Sequence, residues 1–215
     1  ESEMIGSLAW ATATSGNLTN ADRVRFLAPI LRITAQYTAG RLRLALGLRS
    51  PRAGALDLDR LVLPDSKLAA EALRECSETL TPSMQQHSLR TFVFGLALAN
   101  LDQVRLDVEH LYVASLLHDI ALEAPTPGRC FAVVGAERAF AIAQRSGADD
   151  AAARAIAEAI AMHVTPGVGF ERGPLGPTIA AGALVDVAGM RLWDLDPGFV
   201  QAALARYPRL AMKRH

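Results

Sequence analysis

The chain has 215 residues, of which 51% are hydrophobic, so it is long enough for one self-sufficient core, alone or with an extension. Lys plus Arg balances Asp plus Glu at 22 each, and no overall field points to nucleic acid or to an acidic partner. No apolar run approaches the roughly 18 residues of a membrane span, and the N-terminal stretch lacks the basic start and apolar core of a signal peptide.

Residues 1–20 are small and polar with little periodicity, and a loose lead-in is expected there. The sequence opens on Glu1 rather than Met, which leaves room for a native start upstream. Asn20 can cap a helix beginning at Ala21, with Asp22 in its first turn, and Pro29 should bend or restart it. Residues 41–48 (RLRLALGL) and 55–63 (ALDLDRLVL) alternate polar and apolar positions, which fits a short β-hairpin over about 41–63, turning at Ser50–Gly54. Arg41 and Arg43 would then face Asp57 or Asp59, although residues 41–48 read equally well as helix.

From Ser66 onward the boundaries are sharper. Ser66 can cap a helix to about Thr79, and Thr81-Pro82 pairs an N-cap with a first-turn proline for a helix to about Asn100. Asp107 caps a third, reaching about Leu122 before Pro125 and Pro127. A fourth spans about Cys130 to Ser146 and stops at Gly147, and a fifth opens at Asp149 or Asp150 and ends before Pro166. Gly-Pro turns at 173–177 lead into an apolar helix from about Thr178 to Met190, and a short last helix covers Phe199–Tyr207. The fold class expected is all-α: residues 1–63 form a mixed, partly helical, Arg-rich extension, and 64–215 a helical domain. Cys76 and Cys130 have neither metal-type nor redox spacing and read as reduced core thiols of a soluble, cytoplasmic protein.

Four of these helices each carry a polar anchor into an apolar wall. His87 lies early in its helix, with Met84, Arg90 and Phe94 on the same face. His118-Asp119 closes the apolar run Leu111–Leu117, and His163 shares a face with Ile156, Ala159 and Ile160. Asp186 is the one charged residue between Arg172 and Arg191. Burying such groups costs free energy unless a partner or a metal satisfies them. Imidazole nitrogens and carboxylate oxygens converging in a dry pocket suit Zn²⁺, Mn²⁺ or Fe²⁺. A single histidine on an apolar face is more often a satisfied core residue; the ordered set His, His-Asp, Asp on successive helices carries the reading. His110 and His215 stand outside the set and are expected at the surface.

In that order the chain resembles the HD superfamily of metal-dependent hydrolases and, within it, the cyanamide hydratase-like proteins. The matching segments are His87-Ser88-x-Arg90, Leu116-Leu117-His118-Asp119-Ile120, Gly135-Ala136, Ala159-Ile160-x-Met162-His163 and Val185-Asp186-Val187-x-Gly189. The resemblance covers about residues 64–190. It departs where Ala132 follows Phe131, a position acidic in many of those relatives, and where Ala121 replaces glycine after Ile120.

The resemblance implies an HD-domain helical bundle in which His87, His118, Asp119 and Asp186 bind one divalent metal, zinc first among Zn, Mn and Fe. Such a cation lowers the pKa of bound water toward neutrality. Asp119 is then a candidate base, His163 a candidate for substrate polarisation or proton donation, and Arg90 a candidate holder of an anionic substrate group, or else half of a salt bridge. Two-metal relatives need more ligands between His-Asp and the last Asp than His163 alone supplies, so one metal is expected.

The leading function is a hydrolase or hydratase that adds water to a small polar substrate such as a cyanamide- or nitrile-like C–N compound. Phosphohydrolysis of a nucleotide or other phosphate ester is the enzymatic alternative. It would need cations, and near the motifs there are only Arg90, Arg129 and Arg138, with no lysine between Lys67 and Lys213. A non-catalytic HD-fold binding or regulatory module is the alternative of another class. Seven arginines (Arg23, Arg25, Arg32, Arg41, Arg43, Arg49 and Arg52) against Asp22 mark the extension, but without interleaved aromatics nucleic acid is not the expected partner. A small-molecule substrate is, and the Ala-rich helices at 130–164 would allow a homodimer.

Overall fold

Capping residues set most of the helix boundaries in the computed structural model, which describes residues 4–48 and 50–210. Helix α1 spans Leu8–Thr14, α2 Asn20–Arg25, α3 Leu27–Ala45, α4 Lys67–Thr79, α5 Pro82–Leu101 and α6 Val108–Leu117. After these come α7 (Phe131–Arg145), α8 (Asp150–Met162), α9 (Leu175–Ala188) and α10 (Pro197–Arg206), with 3₁₀ turns at Phe170–Arg172 and Leu192–Asp194. Ser66, Asp107 and Asp149 each accept a backbone N–H at the start of α4, α6 and α8, as their positions lead one to expect. No described helix is long and apolar enough to cross a membrane. The fold is all-α.

Several expectations need correction. Residues 8–14 are not a loose lead-in: they form α1, which docks on α7 and α8. The cap of α2 is Thr19 rather than Asn20, in a reciprocal capping box with Asp22. Thr81 holds the N-cap position of α5, but its hydroxyl and N–H both donate to Glu123, at 2.7 Å each. The third helix of the domain stops at Leu117, five residues early, because His118 and Asp119 turn away into the site.

The hairpin over 41–63 does not form. Residues 41–45 complete α3, 55–63 is irregular, and among the described residues the only β pairing is an isolated bridge between Gly54 and Leu195. Asp57 pairs with Arg60 and Asp59 with Arg206, not with Arg41 or Arg43. Arg49, counted in the basic extension, lies outside the described residues.

The core runs between α5 and α9 and through α4, α6, α7 and α8. Alanines of α7 and α8 (Ala136, Ala139, Ala143, Ala153, Ala157) are fully buried and let these helices pack side by side within the chain. Helix α3 differs: among its described residues only Gly40 is buried, seated over the Trp193 ring.

Candidate metal centre

Two glycines decide how near the anchor-bearing helices come. A Cβ added to Gly182 of α9 would stand 2.2 Å from the Thr91 carbonyl oxygen of α5 and 2.9 Å from the Gly95 nitrogen. One added to Gly95 would stand 3.0 Å from the Thr178 carbonyl oxygen. Only hydrogen side chains permit backbones so close. One helical turn further on, His87 and Arg90 of α5 meet Asp186 of α9.

The other anchors use helix ends. His118 and His163 occupy the C-cap positions of α6 and α8. Each folds its ring back onto its own last turn: Nδ1–H of His118 donates to the Ser115 carbonyl at 2.8 Å, and that of His163 to the Ile160 carbonyl at 2.6 Å. A carbonyl can only accept, so Nδ1 carries a proton in both rings, and Nε2 donates to Asp119 when the ring is protonated or presents a lone pair when it is neutral. His87 reaches the same state by another route, donating from Nδ1 to Asp186 Oδ2 at 2.7 Å.

The three Nε2 atoms converge on Asp119. His118 Nε2 lies 3.1 Å and His87 Nε2 3.6 Å from Oδ2, and His163 Nε2 lies 3.6 Å from Oδ1. His87, His118 and Asp119 are all buried, and their ligand atoms lie within 4.8 Å of one another. Burial pushes the His87 imidazole down, more strongly than its carboxylate neighbours lift it. Burial acts the same way on His118, but the adjacent Asp119 outweighs it and raises the imidazole. For Asp119, burial would raise the carboxyl, yet His118 and His163 hold it well below the usual carboxylate range.

Asp186, expected among the ligands, lies on the far side of His87 from this convergence. Its Oδ1 accepts from Arg90 Nε at 2.9 Å and faces the Arg209 guanidinium at 2.8 Å, while Oδ2 takes His87 Nδ1–H and Arg90 at 2.8 Å. Both oxygens are thus turned to two guanidiniums and to the far nitrogen of His87. Burial would raise this carboxyl, but His87 and Arg90 overcome it and bring it to about 2.

Arg90, the candidate holder of an anionic substrate group, forms the salt bridge that was its alternative. It is fully buried, and beyond Asp186 it donates to the carbonyls of Tyr207 at 2.9 Å and Pro208 at 3.0 Å. Of the other cations considered near the motifs, Arg129 pairs with Glu137 at 2.6 Å and Arg138 with Glu75. His110 is half-buried at the start of α6 rather than fully exposed, and His215 lies outside the described residues.

Arg209 and the C-terminal carbonyls went unnoticed in the sequence because nothing local ties residues 207–209 to Asp186. Gly95 and Gly182 did carry a signal: a glycine inside an apolar helix often marks close backbone approach.

The donor set fits a cation. Two imidazole lone pairs and a carboxylate share a buried volume, every second ring nitrogen is already tethered, and α6 and α8 aim their negative ends at it. The family model described as HD domain matches residues 84–188. No curated protein matches the chain.

Proposed function

We propose that this chain, which carries an HD domain between residues 84 and 188, is a metal-dependent hydrolase that activates water for attack on a small uncharged substrate. The observation that supports this best is the convergence of three Nε2 atoms on one buried carboxylate. His87, His118 and Asp119 would hold one divalent ion, with zinc the first candidate, while Asp186 orients His87 from behind. When bound, that cation supplies Lewis acidity and lowers the pKa of a coordinated water.

The remaining work falls to the chain. Asp119 Oδ1, turned to His163, can guide a water proton toward His163 Nε2, whose lone pair is free because Nδ1 is tied to Ile160. Adding water across a C≡N bond is the finer reading, and it follows the resemblance to cyanamide hydratase-like proteins. An O–C bond would form and one C–N π bond would break as the water proton passes to His163, and that proton would return to the substrate nitrogen, so water is added and nothing is released. Phosphate esters fit less well, because Arg90, Arg129 and Arg138 are each engaged by carboxylates.

Metal analysis by plasma mass spectrometry tests the reading on wild type beside His118→Ala and Asp119→Ala. One transition-metal ion per chain, lost in both variants, is the expected result and justifies screening cyanamide, nitriles and phosphate esters. Folded wild type that stays empty after loading with Zn²⁺, Mn²⁺ and Fe²⁺ overturns it and leaves a helical binding module.

A further inference from the structure

Helix α3 bridges the bundle rather than packing on it. Near its start Pro29 lies against Gly167, where an added Cβ would sit 3.0 Å from the proline Cβ; near its end Gly40 rests on Trp193. Between these two points, an arc of about 16 Å at 1.5 Å per residue, Ile30, Ile33, Thr34 and Gln36 roof a cavity of about 760 Å³ whose floor includes Ala181 and Leu184 of α9. That volume is in the range of small-molecule sites.

His163 lines this cavity, and its Nε2 lies 3.6 Å from Asp119 Oδ1, so the cavity and the metal centre share a residue. The walls are otherwise mostly aliphatic, with Leu98, Val104 and Val168 among them. Their one cationic side chain, Arg191, is held by Asp102 at 2.7 Å and by Asp194 at 2.9 Å. An anionic ligand would therefore enter without a cation to meet it, whereas an uncharged apolar body gains from burial.

We infer that the space beneath α3 is the substrate chamber, and that it selects an uncharged substrate whose reactive head reaches His163 while an aliphatic or aromatic body lies under Ile33. This rests on the metal-dependent reading above and adds to it the substrate's body and its entry side. Ile33 and Ala181 become specificity-determining positions.

Hydroxamates of increasing alkyl length, which are neutral at neutral pH, separate the two ideas. Their binding to metal-loaded protein is followed by calorimetry for wild type, Ile33→Trp and Ala181→Trp. In wild type, affinity should rise about fourfold for each methylene that becomes buried. In the filled variants that gain should disappear, while acetohydroxamate, which has no body to place, binds all three proteins equally. Acetohydroxamate binding with no gain from chain length, or a gain that survives in both variants, overturns the chamber and leaves the metal centre standing. Folded wild type that holds no metal and binds no hydroxamate overturns the metal reading, and the chamber with it. Far-ultraviolet circular dichroism confirms that each variant is folded.

Discussion

Replacing Asp186 by Asn tests a carboxylate that acts on His87 rather than on the ion. An amide keeps the size but loses the charge that two guanidiniums face, and it leaves His87 Nδ1–H without its carboxylate acceptor. The expected result is a metal affinity lower by about 10- to 100-fold, the usual cost of removing a group that orients a ligand, while His118→Ala abolishes binding. Competition against a chromogenic chelator reads both. A loss in Asp186→Asn as complete as in His118→Ala would return Asp186 to the ligand set. Arg90→Met is different in kind: it strips a buried carboxylate of its bidentate partner and frees the Tyr207 and Pro208 carbonyls. A stability loss of about 3–5 kcal/mol is expected, measured as a fall in the urea midpoint.

At the level of the helices, the contact between α5 and α9 governs the site. Gly182→Ala must push the backbones apart, costing about 1–3 kcal/mol and moving Asp186 off His87, so unfolding and metal content should change together. On the outer face, α4 is tied to α7 through Glu71, which Arg74 chiefly and Arg145 secondarily hold at about 2 instead of 4.5. A folded value below the unfolded one means that this contribution is present above 4.5 and is lost as the pH falls toward about 2. Glu71→Gln should therefore flatten the dependence of stability on pH in that window, seen as urea midpoints that vary less with acid. The helices were legible wherever a cap, a proline and a 3.6-residue pattern agreed, as at Ser66, Asp107 and Asp149. They stayed ambiguous at 41–48, where Arg-Leu alternation satisfies either period and the helix that reaches Ala45 is settled by a distant partner, Trp193 under Gly40. The histidines and Asp119 stood out as polar groups in apolar helices, whereas their division of labour depended on which ring nitrogen each neighbour takes, and that is three-dimensional information.

Across the whole molecule, segments remote in sequence complete the bundle. The Leu8 N–H donates to Glu158 of α8 at 2.7 Å and the Cys130 N–H to the Ser15 carbonyl at 3.0 Å, so the N-terminal helix locks the start of α7 to α8. The two thiols report on this arrangement differently. Cys76 is buried in the core, which pushes its thiol up to about 11, while Cys130 is half-buried at the edge of α7. Pulsed alkylation across a urea series, read by mass spectrometry, should label Cys130 at low urea and Cys76 only with global unfolding. Early labelling of Cys76 would mean that α4 opens by itself.

The seat of Gly40 on Trp193 also gives the chain an optical gauge. The sequence has two tryptophans, so Trp10→Phe leaves a single indole, and that indole sits under the roof helix. Any event that lifts α3 should expose the ring to water and move its emission to longer wavelength. Gly40→Leu, which forces a side chain into the space the ring occupies, supplies the reference spectrum for the raised state. Titrating small molecules against the Trp10→Phe protein would then show, without a label, whether α3 rises to admit them.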